Sequence, residues 1–413
     1  MKPIIAALAC IALLPALSAA AQEARPIGAT AQELIEYADT HNPDLIAARY
    51  ELEAARARVQ PAGALADPMF EVELRDMDRD LNRIGSVKYT FAQPLPFWGK
   101  RDLRTEVAES GARAAQGEER AAATDIHERI KIAFAQYYQI REATRLNSEL
   151  YALMIDLERV AQTRFANGLA PQQDVIKAQV EQTTLKSELI ALETEAVHIR
   201  GRINSLLNRP AGAPLAEPRG LRPAPPVAAL DMDTLEQRLR STNPLLFAQS
   251  ARLAGTEANR KLVERDRYPD FLVGVSPIQA DDRLAAWEAR VSINIPLQQE
   301  TRRSRELEAA AEVNAARARQ EAVASKLLNE LHESLATWEA ARRQELLIQD
   351  ALLPQTHASY QSALVGYETG KVDFATLLEA ERQVKRARLD RLRVQVEQET
   401  RLAQIERMIG GSL

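Results

Sequence analysis

The chain has 413 residues, 53 Lys and Arg against 58 Asp and Glu, a net charge of −5 and a single cysteine. That slightly acidic balance gives no electrostatic reason to expect nucleic acid as a partner. Cys10 lies inside the leader described next, so a chain processed after it carries no thiol, and disulfide, thiolate-metal and cysteine-nucleophile chemistry fall together.

The opening "MKPIIAALACIALLPALSAAAQEA" has one early cation, Lys2, then an apolar run and small residues, with Ala19-Ala20-Ala21 offering an A-x-A cleavage site before Gln22. It predicts a secretory signal peptide over residues 1–21. A retained membrane anchor lacks a stop-transfer flank, and a lipoprotein box, "ALAC" at Cys10, needs an unusually short apolar region. Beyond this leader no run of about 18 apolar residues occurs, so an exported chain of this kind enters a membrane only by strands.

A first repeat is expected over residues 22–207. After short helices come strands near 68–76 and 86–95. In "MFEVELRD" Phe70, Val72 and Leu74 share one face and Glu71, Glu73 and Arg75 the other; in "SVKYTFAQ" Val87, Tyr89 and Phe91 alternate with Lys88, Thr90 and Ala92. The stretch "FAQPLPFWGKR" then hands over to a helix: Pro94 and Pro96 are expected to end the strand, and Lys100 and Arg101 to start a rod in water. Phe97 and Trp98 sit between, where aromatic rings favour a membrane–water boundary, although core packing would also accept Trp98.

From about Arg101 to Asn167 there is no proline, and Leu146, Leu150, Leu153, Leu157 and Val160 step as a heptad seam. After "RFANGLAPQQD" the stepping resumes through Leu185, Leu189, Leu192, Ala196, Ile199, Ile203 and Leu206, which predicts coiled-coil packing. A helix of about 65 residues spans on the order of 100 Å, a rod for which few soluble enzymes have use. Residues 208–231 are a Pro-rich linker whose prolines forbid a continuous helix or a central strand.

The second repeat, 232–413, restates the first. "NPLLFAQSARLAGTEANRKLVERDRYPDFLVGV" from Asn243 matches "NPDLIAARYELEAARARVQPAGALADPMFEVEL" from Asn42 without a gap, about two hundred residues later. Strands are expected near 269–277 and 286–296, and "GYETGKVDF" around Gly370 parallels the turn around Gly168. Both glycines suit the φ > 0 position that stops a helix. The second strand exit, "IPLQQETRR", keeps the proline and the basic pair but lacks the aromatics.

Each strand alone would suit a half-buried soluble sheet; four together, of bilayer length and alternating pattern, point to a membrane. Four strands cannot close a barrel, and open edges in lipid leave backbone groups unpaired at several kcal/mol each. Oligomerisation is therefore required, and three copies would enclose a lumen wide enough for water where two would be nearly filled by side chains.

No catalytic, cofactor-binding or metal-ligating residue is predicted. His41, His127, His198, His332 and His357 are scattered without metal-site spacing, and neither a phosphate-binding glycine loop nor a nucleophile motif occurs.

With the repeat, "QPLPFWGKR" and both glycine turns in view, the chain resembles an outer-membrane efflux protein of the TolC family, closest to the heavy-metal cation-efflux branch. The resemblance covers essentially all of the chain after the leader. It implies a mainly α fold with a small β part: duplicated long-helix hairpins forming a periplasmic α-barrel, and four strands per chain in a shared trimeric transmembrane β-barrel. The implied function is the outer-membrane exit duct of a tripartite efflux system, not an enzyme and without cofactor. Its implied partners are two further copies, a periplasmic adaptor (membrane fusion) protein, an inner-membrane efflux pump and outer-membrane lipid. Gly168 and Gly370 would mark the hairpin tips that meet the adaptor. Glu379 stands where the family's gate carries an acid, while Thr376 replaces the other, so Glu379 would form a ring of three carboxylates unless it is an ordinary solvated charge. Asp373, a second gate candidate, also suits a helix N-cap, and Asp174, the third, also suits a helix dipole. A periplasmic adaptor or coiled-coil scaffold shares the leader and the hairpins, but such adaptors carry one hairpin between compact β domains, and the strands and duplicated plan favour the duct.

Overall fold

A computed structural model describes residues 26–77, 84–281 and 283–413. The expected signal peptide and most of the first strand-to-strand loop lie outside the described residues.

Both repeats begin with the same device. Helix α1 (Ala31–His41) ends at Asn42 and α2 (Pro43–Ala57) starts there; α6 (Met232–Thr242) ends at Asn243 and α7 (Pro244–Arg265) starts there. Each Asn accepts from the backbone N–H three residues on, Leu45 at 3.1 Å and Leu246 at 2.9 Å, and proline takes the first helical position, where its missing N–H costs nothing. Each also reaches the end of a distant helix: Asn42 Nδ2 donates to Leu206 O and Asn243 Nδ2 to Met408 O, both at 2.8 Å. The repeated Asn-Pro is thus a buried staple between the start of its repeat and the repeat's last helix.

After the short α3 (Val59–Gly63) come β1 (Met69–Met77) and β2 (Ile84–Leu95), and after α7 come β3 (Phe271–Ala280) and β4 (Arg283–Ile293). They form one antiparallel sheet in the order β1-β2-β3-β4. The register gathers Phe70, Phe91, Val275 and Ala289 on one face and Glu71, Thr90, Ser276 and Glu288 on the other. The apolar face is largely exposed, Phe70 by 63% and Val291 by 66%, whereas Lys88 on the polar face is fully buried and donates to Glu288 at 2.5 Å.

Two expectations about "FAQPLPFWGKR" are corrected. Pro94 does not end its strand, which pairs it opposite Leu272; β2 runs to Leu95, the end expected, and stops just before Pro96. Its pairing with β1 begins only at Ala92, so beyond that residue β2 is an edge, where a missing N–H is tolerated. Lys100 does not stand in water but is buried; its Nζ donates to Asp270 Oδ1 at 2.9 Å and Tyr268 O at 3.2 Å, with Asp266 at 3.4 Å.

The long helices follow. In the first repeat they are α4 (Lys100–Ala166, 67 residues) and α5 (Gln172–Leu206). In the second, α8 (Gln299–Leu347) passes through a π-helical turn, Ile348–Leu352, into α9 (Leu353–Glu368), and α10 (Phe374–Met408) returns. The break carries Pro354 at the start of α9, where the first repeat has no proline. The seam of α4 also shifts: Leu146, Leu150 and Leu157 are buried as read, but Met154 and Ala161 replace Leu153 and Val160. Three helices contribute neighbours there, so the buried stripe is wider than a two-helix seam.

Each repeat has its own core, Leu34, Phe134 and Ile203 at the centre of one, Leu239, Trp338 and Ile405 of the other. Arg222 in the linker pins it to α10 through Glu399 at 3.0 Å and Glu406 at 2.5 Å. A third cluster joins the repeats where α4, α5, α9 and α10 meet.

Candidate functional site

That third cluster sits beside the two helix turns. Gly168 and Gly370 adopt φ of 71° and 73°, and each turn closes with a hydrogen bond reaching back past the glycine: Leu169 N donates to Arg164 O and Lys371 N to Gly366 O, both at 2.8 Å. The two turns are tied together. Arg164 Nη1 donates to Glu368 O at 2.7 Å, and its guanidinium lies 5.0 Å from the centre of the Tyr367 ring.

Tyr367, 2% exposed, packs edge-on against Phe374 and donates its hydroxyl to Asp174 Oδ2 at 3.4 Å. Burial raises the Asp174 pKa above the ordinary Asp value, and burial together with the Asp174 charge pushes Tyr367 up to about 12. The pair therefore works as a hydroxyl donor on a carboxylate, linking the first-repeat hairpin to the second.

The three acidic candidates part company here. Asp174 is buried in the link between hairpins. Asp373 caps α10, accepting from Thr376 N at 2.9 Å and Thr376 Oγ1 at 2.6 Å, bonds that hold its carboxyl below the usual range. Glu379 is exposed, accepts a long bond from Gln383 Nε2 at 3.4 Å, and lines a groove with Ser359, Ser362 and Thr376. Sequence reading missed Tyr367 and Arg164. Comparing the repeats could have found them: Phe165 occupies the place of Tyr367 in the first turn and is half exposed, so the second turn alone had acquired a hydroxyl.

The aromatic pair lies at the opposite end, where α4 leaves the sheet. Phe97 stacks on Tyr268 at 4.5 Å, and its N–H donates to Asp270 Oδ1 at 2.8 Å. Trp98 is 74% exposed, touching Phe271 edge-on at 5.7 Å. Gly99 takes φ of 80° to turn the chain into the helix. Among the described residues no group of three or more His, Cys, Asp or Glu is placed to hold a metal ion, and no helix is long and apolar enough to cross a membrane.

The family model described as outer membrane efflux protein matches residues 34–209 and 235–411. A cobalt-zinc-cadmium resistance protein, CzcC of Cupriavidus metallidurans, is 24% identical over 392 residues, covering 92% of this chain and 90% of its own. Among solved structures, CusC superposes with a TM-score of 0.80 at 17% identity, covering 92% of each chain. The outer membrane protein VceC of Vibrio cholerae gives 0.79 at 17% identity, covering 92% of this chain and 96% of its own.

Proposed function

The chain belongs to the outer membrane efflux protein family, and within that outer-membrane efflux role we propose that three copies form a passive duct opened at its tip by partners. The observation that carries this reading is the open sheet. Among the described residues β1 and β4 each lack a neighbour on one side, and one face of the sheet is apolar and largely exposed while the other carries Glu71, Glu73, Lys88, Glu288 and Arg290. Closing those edges between copies pairs the backbone, gives lipid the apolar face and lines a water-filled lumen with the charged one.

In this reading the helices extend into the periplasm, where the turns at Gly168 and Gly370 receive an adaptor and an inner-membrane pump supplies the energy. Trp98 and Phe97 anchor the membrane boundary. Three Glu379 carboxylates gather cations at the tip, and Asp373 is left to its cap. Heavy-metal cations are the proposed cargo, supported by the resistance protein named above.

Membrane fractionation followed by sizing in mild detergent tests the assembly. A trimer in the outer membrane supports it; a soluble monomer or dimer overturns it. In the trimer, Glu379→Ala is expected to weaken block of single-channel current by divalent cations, and an unchanged block removes Glu379 from the gate.

A further inference from the structure

Inside the tip bundle, two residues beyond Glu379, lies a group to which the duct reading gives no part. Glu381 is 3% exposed, and its Oε1 is buried without a hydrogen-bond partner among the described residues. It faces Glu181 and Glu188 of α5, Arg382 and Lys385 of its own helix and Tyr360 of α9, while α4 brings Leu150, Met154 and Leu157 to the same cluster. The nearby cations are already engaged: Arg382 holds Glu181 Oε2 at 2.5 and 3.2 Å, and Lys385 holds Glu188 at 2.6 Å. An ionised Glu381 therefore sits beside the like charge of Glu181 and is shielded from bulk water, while Arg382 and Lys385 are held by other carboxylates.

The hairpin that carries it has a soft joint. At Ile348–Leu352 the backbone widens to a π turn, and Pro354 removes a helix N–H just beyond. The corresponding helix of the first repeat, α4, continues unbroken to Ala166.

We propose that Glu381 is a proton-operated lock between α10 and α5: neutral, it lets the two hairpins close at the tip, and ionised, it drives them apart about the joint at Ile348–Leu352. The lock itself is a property of the bundle; its consequence for flow rests on the duct reading. Burial first, and Glu181 next, raise the Glu381 pKa from 4.5 to about 7. A carboxyl raised in this way stabilises the closed bundle fully below about 4.5, and that stabilisation is lost as pH rises through about 7. The tip is closed on the acid side and loosened on the alkaline side.

Amide hydrogen exchange of α5 and α10, divided at each pH by the intrinsic base-catalysed rate so that only opening is read, and single-channel conductance, measured on the full-length protein from about pH 5.5 to 8.5, read the lock separately from the flow. Exchange and conductance are both expected to rise several-fold around neutral pH. Glu381→Gln, which keeps shape and neutrality, should hold both at the acid level throughout, and Glu181→Gln should move the transition to lower pH by removing the like charge. Wild-type exchange that ignores pH, or a Glu381→Gln profile equal to wild type, overturns the lock, as does an unmoved transition in Glu181→Gln. pH-dependent exchange with no conductance at any pH supports the lock and overturns the duct.

Discussion

Asn42 and Asn243 each close one helix, open the next and hold the C-terminal carbonyl of a third: the backbone N–H serves the first end and the side-chain amide the other two. Removing it takes away a cap and orphans a buried carbonyl, each worth about 1–2 kcal/mol. Asn42→Ala is expected to destabilise the protein by roughly 2–4 kcal/mol, read as a lowered urea midpoint. At the sheet junction, Asp270 is partly buried, which opposes its charge, but the Phe97 N–H and Lys100 outweigh that and hold its carboxyl below the ordinary value of 3.8. Its sign is therefore opposite to that of Glu381. Stability from the Lys100–Asp270 contact is complete above the ordinary value and is lost as pH falls through the lowered one. An acid titration followed by Trp98 fluorescence should show this junction loosening only below about pH 4, and loosening at pH 5–6 would count against the assignment.

At the scale of elements, contact between α4 and α7 depends on the absence of a side chain. A Cβ on Gly117 would lie 2.8 Å from Pro244 O and from Ala248 N, both backbone atoms that cannot turn aside. Gly117→Ala should cost about 1–3 kcal/mol by forcing the helices apart, measured as a lower melting temperature in detergent; Gly111→Ala, where a Cβ meets nothing within 4 Å, is the control and should be neutral or slightly stabilising. The repeats are alike in plan yet differ in the continuity of their long helices. α4 runs 67 residues without interruption, while its counterpart is divided by the π turn into α8 and α9.

For the whole molecule, the sheet's two faces predict opposite consequences for one kind of change. Val275→Arg puts a cation on the apolar face, which costs about 2–4 kcal/mol per chain near the bilayer midplane, and should deplete heat-resistant oligomer from the outer membrane. Glu71→Gln on the charged face should leave assembly intact and reduce preference for cations over anions, measured as a shift in reversal potential across a salt gradient. Equal effects on assembly from both would mean that the faces do not see lipid and water.

The duplicated plan, the Asn-Pro starts, the glycine turns and the alternating strands were all legible in the chain because each is local: a cap, a positive φ or a period of two is written within a few residues. The pairing of Pro94 within its strand and the exact seam of α4 were not, since a strand's tolerance of proline depends on which neighbour it lacks, and a buried stripe depends on how many helices share it. Lys100 shows the limit most plainly, a basic residue expected in water and found buried because Asp266 and Asp270 arrive from more than 160 positions away. The Tyr367–Asp174 link and the stranded Glu381 carboxylate belong to the same class. Local spacing determined which elements exist, in what order, and that Asp373 suits a cap; only the packing of α5 against α9 and α10 decided which acid is a link and which is left without a partner, because burial and charge pairing are set by residues distant in sequence.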